Sequence, residues 1–286
     1  MHYKRGPQKR EKKQMSSKGL FRIIYEAFRN IKAVPGRCRK PGDSNQSCEA
    51  LGCNRCEPDA DHESAKPRGA PRRWSITDHL LAACALFEFK FPSLLQLATS
   101  HHTCRRPLRK LFHLNSIPSD THMREELDKI NPNELEVGFK AVMNAAQRNG
   151  VLASMQFYQG SYLLSFDGTD MFHSDRMHCD NCCKKKHADG SITYYHKLMA
   201  GAIVYPGIKT VLPVFPEAIL KQDGKTKNDF EQVAAVRMLD RLKRMHPNLH
   251  FTVTADAIQS TGPQIRHLES LGYDYILKVQ PGSHKT

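Results

Sequence analysis

The chain has 286 residues, 40% of them hydrophobic, enough to bury a core in one large domain or two small ones. Its 43 Lys and Arg against 29 Asp and Glu leave a formal charge of +14, which favours polyanionic partners. No stretch approaches the roughly eighteen consecutive apolar residues of a membrane span, and the opening MHYKRGPQKREKKQ lacks the apolar segment of a secretory leader, so a cytoplasmic protein without membrane association is expected.

Residues 1–73 hold eighteen Lys and Arg against eight Asp and Glu, a net +10 of the chain's +14. One short amphipathic stretch, GLFRIIYEAFRNI, precedes a segment rich in Gly, Pro, Ser and charge that ends in AKPRGAPRR. The expectation is a basic, largely disordered arm and linker; such an arm either attracts nucleic acid by counterion release or is a solvated tail.

Residues 74–150 read as three or four helices. SITDHLLAACALFEF sets Ser75 three residues before Asp78, close to a capping box, and then repeats apolar residues at helical spacing. SDTHMREELDKI opens on another Ser/Asp cap, and NPNELEVGFKAVMNAAQRN has Pro132 near its first turn and stops before Gly150.

From Val151 to Thr286 the pattern changes. GSYLLSFDGTDMF, ITYYHKLMAGAIVYP, NLHFTVTADAI and YDYILKV are strand candidates. NDFEQVAAVRMLDRLKRMH and STGPQIRHLESLG have helical period between them. The order strand, irregular segment, strand, helix, strand, helix, strand implies an α/β domain with a mixed sheet.

Two strands deliver an aspartate at the end of their apolar run: Asp167 in LLSFDGT and Asp256 in FTVTADA. Functional groups gather at the carboxyl ends of strands in open α/β sheets, although a strand-end Asp also serves as a turn or cap residue. Two such carboxylates on neighbouring strands repel unless a hard dication lies between them. Gly168, directly after Asp167, would let a substrate backbone approach closely.

The stretches SFDGTDMFHS, CDNCC, GSITYYHKLMAGAIVYPGIKTVLPVFPEAILKQDGKTKNDFEQVAAVRML and TVTADAIQSTGPQIRHLESLGYDYILKVQPGSHK, with ITDHLLAACALFEFKFPSLLQL and PSDTHMREELDKINP upstream, occur in one order over residues 74–286. Together they resemble the DDE-type transposases of bacterial insertion sequences, in the not-yet-classified group with the DGT motif.

That resemblance implies an incomplete ribonuclease H-like mixed sheet (residues 151–286) behind a helical DNA-binding region (residues 74–150). Carried over by motif, Asp167 and Asp256 are the first and second catalytic carboxylates, with Asp170 the competing choice for the first. They would hold Mg²⁺ or Mn²⁺ for in-line attack on a phosphodiester. The family's third acidic residue, a glutamate on a late helix, is expected beyond DYILKV. Glu269 lies too early to replace it, so a C-terminally truncated transposase is expected. The implied partners are the terminal inverted repeats of an element and target DNA, bound by a homo-oligomer at the nucleoid. A catalytically inactive DNA-binding fragment, acting as a repressor or left as a remnant, is the alternative; a metal-dependent nuclease of the same fold is a third.

Nine cysteines, an odd number, favour reduced thiols or metal ligands over a disulfide framework. HCDNCC places Cys179 and Cys182 in CxxC spacing, with Cys183 after them and His178, His187 and His196 nearby. Sulfur with imidazole suits zinc, and Cys179, Cys182 and His187 are the candidate structural zinc set; a loop of reduced thiols is the alternative. Cys38, Cys48, Cys53 and Cys56 form a second, irregularly spaced candidate, and Cys84 is expected to be buried in a helix. For DNA phosphates the candidates are Arg105, Arg106, Arg109 and Lys110 in CRRPLRKLF, with Lys225 and Lys227; a solvated charged face would read the same way.

Overall fold

The computed structural model describes residues 17–31, 74–179, 182–220 and 227–279. They fall into two compact units, residues 17–138 and residues 139–279. Among them no helix is long and apolar enough to cross a membrane.

The first unit is helical: α1 Ser17–Phe28, α2 Ile76–Glu88, α3 Leu94–Ser100, α4 Arg105–Leu111, α5 Asp120–Leu127 and the first residues of α6 Glu136–Arg148. Caps start the helices where the sequence places them. Ser75 caps α2 in a complete capping box: its Oγ accepts from Asp78 N at 3.2 Å, while Asp78 Oδ2 accepts from Ser75 N at 2.7 Å. Ser93 and Ser119 cap α3 and α5 through their side chains. Leu81, Leu97, Leu108, Phe112 and Met123 fill the core.

The amphipathic stretch in the expected arm is α1, and it is packed. Its apolar face contributes Phe21 and Phe28 to this core, and Thr77 Oγ1 donates to the Phe28 carbonyl at 3.2 Å. Gly138 makes room for the Phe28 ring, since a Cβ there would lie 2.8 Å from its Cε1.

The second unit is built on a sheet: β1 Tyr162–Ser174, β2 Cys183–Lys186, β3 Ile192–Tyr205, β4 Ile208–Pro213, β5 Glu217–Ile219, β6 Phe251–Ala255 and β7 Asp274–Leu277. The strand order is β2-β3-β1-β6-β7, and β4 and β5 also pair with β3. β1 is antiparallel to β3 but parallel to β6, and β6 is parallel to β7, so the sheet is mixed as expected. The parallel connections are made by α7 Lys227–Met245 and α8 Gly262–Ser270. Strands β2, β5 and β4 occupy successive stretches of one side of β3, at Ile192–Tyr195, Lys197–Met199 and Ala202–Tyr205.

The four expected strands and two expected helices are all present. Strands β2, β4 and β5 are additions. The β3–β4 hairpin turns at Pro206–Gly207, with Gly207 at φ 79°, a backbone region open to glycine. In α7, Ala234, Ala235, Met238, Leu239 and Leu242 recur at helical period and pack on Leu164, Phe166, Met199, Ile203, Phe251 and Val253. Glu217 at the start of β5 ties that strand to α7, with Oε1 3.1 Å from Arg237 Nε and Oε2 3.0 Å from an Arg241 guanidinium nitrogen.

Candidate functional site

The parallel pairing of β1 and β6 runs Tyr162↔Phe251, Leu163↔Thr252, Leu164↔Val253 and Ser165↔Thr254. The pairing ends there; counted on by two residues, the register would set Asp167 on β1 level with Asp256, which directly follows β6. Alternation fixes the face. Leu164, Phe166, Phe251 and Val253 point into the core, so the aspartates, offset from them by an odd number of residues, fall on the opposite face; both are exposed.

Both carboxylates are oriented by backbone. Asp167 Oδ1 accepts from Gly168 N at 2.7 Å, and Asp256 Oδ1 accepts from Ile258 N at 3.1 Å, where Asp256 caps the turn Ala257–Gln259. That turn is held in turn by α7, whose Gln232 Nε2 donates to the Ile258 carbonyl at 2.8 Å. Each aspartate thus engages the backbone through Oδ1.

Asp170, the competing first carboxylate, is differently engaged. It lies on the α7 side of β1, cross-strand from Lys197, whose Nζ is 3.2 Å from Asp170 Oδ1 and 3.5 Å from Oε1 of the buried Glu231 on α7. Burial works against the Lys197 charge, but the hydrogen bond and charge of Asp170, with those of Glu231, outweigh it and hold the ammonium above its ordinary pKa. The space beside Gly168 belongs to the same cluster: a Cβ there would meet Glu231 Cδ and Oε1 at 3.0 Å. The missing side chain thus admits Glu231, where the sequence suggested a substrate backbone.

A second cluster lies where β1 leads into β2. Cys179 Sγ and Cys182 Sγ are 3.7 Å apart, and His196 Nε2 is 3.3 Å from the first and 3.2 Å from the second. His196 on β3 is the imidazole that joins the two thiols; His187 Nε2 is hydrogen-bonded to Thr193 Oγ1 at 2.8 Å. A signal for His196 exists in the sequence. Asp189-Gly190 marks a hairpin turn, closed by His187 N donating to Ser191 O at 2.9 Å, and β2 pairs Cys183↔Tyr195 through Lys186↔Ile192. One further step along that register puts Cys182 opposite His196.

The basic residues of α4 stand clear of their unit. Arg105, Arg106, Arg109 and Lys110 are exposed around the buried anchor Leu108. Lys225 and the arm cysteines Cys38, Cys48, Cys53 and Cys56 lie outside the described residues; Lys227 begins α7, and its side chain is outside them as well. Cys84 on α2 is half-buried, and burial pushes its thiol up to about 11.

No family model matches this sequence, and no curated protein matches it. Among solved structures, the crystal structure of a pre-cleavage Mos1 transpososome is similar at 13% identity and a TM-score of 0.23, over 72% of this chain. The chain spans 60% of the length of that transpososome chain.

Proposed function

We propose that this chain is a DDE-type transposase, in which Asp167 and Asp256 hold a divalent cation for cutting and joining DNA strands. The observation that supports the reading is the β1–β6 register, which, counted on two residues past its last pair, would bring the two exposed carboxylates level. The chain order supports it too. Strands β1, β3 and β4 in antiparallel pairing, then α7, then β6 leading into the second carboxylate, then α8 and β7, is the arrangement a ribonuclease H-like domain of this family carries.

The donor set fits the cation. Two carboxylate oxygens are hard ligands suited to Mg²⁺ or Mn²⁺. The chemistry such an ion would supply there is Lewis-acid activation of a water or 3′-hydroxyl and neutralisation of charge on the leaving oxygen. The chain's own part is to orient both carboxylates, through the Gly168 and Ile258 amides, before DNA arrives. Arg105, Arg106, Arg109 and Lys110 on α4 grip phosphates of the terminal repeats, and the active form is a homo-oligomer assembled on DNA.

The test is a cleavage assay on duplexes carrying the sequences that flank the gene, with Mg²⁺ or Mn²⁺. The wild type is expected to nick at the element ends, while Asp167→Asn and Asp256→Asn bind the same DNA and leave it whole. Salt-sensitive binding with no cleavage in any metal would replace this reading with that of a DNA-binding repressor. Cleavage that ignores the end sequence would make the protein a nuclease of the same fold.

A further inference from the structure

We propose that Cys179, Cys182 and His196 form a structural zinc site that fastens the β1–β2 connection to β3, independently of the carboxylate pair. The three ligand atoms already sit where a tetrahedral ion would hold them. Zinc bonds of about 2.3 Å to sulfur and about 2.0 Å to nitrogen place two sulfurs about 3.8 Å apart and each sulfur about 3.5 Å from the nitrogen. The observed separations are 3.7, 3.3 and 3.2 Å. A disulfide is a different geometry, with sulfurs about 2.05 Å apart.

The surroundings are built for the same purpose. Cys179 N donates to Cys182 Sγ at 3.3 Å, and Cys182 N donates to the Cys179 carbonyl at 3.2 Å, two bonds that hold the cysteines side by side. His196 is held on the central strand β3 between β1 and β2, and Cys182 is buried. His178, just before the first ligand, stacks on Tyr194 with ring centroids 4.1 Å apart, and Lys184 Nζ lies 5.4 Å from the same ring. Two soft sulfurs with one imidazole select zinc over magnesium. Among the described residues no fourth His, Cys, Asp or Glu joins the three, so water or another group completes the tetrahedron. Binding expels the two thiol protons and leaves both cysteines as thiolates.

The experiment uses the full chain purified under reducing conditions. Zinc per chain is measured by elemental analysis, and cobalt substitution is read by visible absorption. Cys179→Ser and His196→Ala are each expected to lower zinc by one equivalent and to remove thiolate-to-cobalt charge transfer; His187→Ala keeps both. The difference from wild type is the reading, because the cysteines of the arm can carry an ion of their own. Cys179 is exposed, so its replacement by Ser leaves the core intact. As a measurement free of mutation, chelation of the wild type should release zinc and unmask the Cys179 and Cys182 thiols to a thiol reagent, both reversed by added Zn²⁺. Zinc content unchanged in both Cys179→Ser and His196→Ala would overturn the site. Loss of zinc in His187→Ala with retention in His196→Ala would overturn the ligand set.

Discussion

Glu231 occupies the space that Gly168 leaves open: a Cβ on the glycine would stand 3.0 Å from the carboxyl carbon of the glutamate. Glu231 is buried and lies 3.5 Å from Lys197, so it cannot swing into water without leaving its partner. Gly168→Ala is therefore expected to destabilise the second unit by about 1–3 kcal/mol, through overpacking against a charged group. Urea unfolding of the purified variant checks this; an unchanged midpoint would show that the carboxylate moves aside freely.

Lys197 supplies a pH-dependent term of predictable sign. Its pKa is raised in the folded state by Asp170 and Glu231 acting against burial. The stabilisation is then fully present below the ordinary lysine pKa and is lost as pH rises through the raised folded value. Lys197→Met should cost about 1–3 kcal/mol near neutrality, by removing the ammonium that Asp170 and the buried Glu231 share. The gap between wild type and variant should close in strongly alkaline solution. Taking the difference matters, because Tyr195 and Tyr273, both raised by burial, also weaken the fold at high pH.

The carboxylate assignment separates neighbouring aspartates. Asp167→Asn and Asp256→Asn are each expected to weaken Mn²⁺ binding at least tenfold in calorimetric titration, a loss of about 1.4 kcal/mol or more. Asp170→Asn should leave the affinity near wild type, since that side chain lies on the α7 face with Lys197. Equal losses at all three positions would mean a diffuse acidic surface.

On α4, replacing Arg105, Arg106, Arg109 and Lys110 together with Gln should reduce DNA affinity and flatten its salt dependence. If all four meet phosphates, the slope of log affinity against log salt falls by about 3 to 4. Leu108 remains in place to hold the helix, so circular dichroism should not change. An unaltered slope would assign these residues to an ordinary solvated face.

Cysteine reactivity should follow burial. With its thiol pushed up to about 11, Cys84 is almost wholly protonated at pH 8 and should be alkylated far more slowly than the exposed Cys179 once metal is stripped. Peptide mapping after timed alkylation gives both rates in one experiment.

Much of this architecture was legible in the chain because local signals agreed with the global fold. Ser75 and Ser119 mark helix starts by their own side chains, and LLSF and FTVTA carry the apolar runs of two adjoining strands. Less legible were strands that depend on a neighbour for their existence. KTVL of β4 and EAI of β5 are short and adjoin Pro213 and Pro216, and they become strands by pairing with β3. Helix α1 was hidden for a related reason: its flanks read as a charged arm, and only the core it enters reveals that Phe21 and Phe28 are anchors. At the thiol cluster, proximity in sequence favoured His187, whereas strand pairing, which acts across the hairpin, selects His196.

The hairpin between β2 and β3 acts as a ruler. Because β3 is gripped along its other side by β1, any change in turn length must be absorbed by β2. Removing one residue from His187–Ser191 would slide β2 by one position and turn Cys182 to the opposite face from His196. The loop's residue count is therefore a heritable constraint: as the gene diverges, the turn should keep its length and Gly190, whose φ of 83° favours glycine, while Ala188 varies.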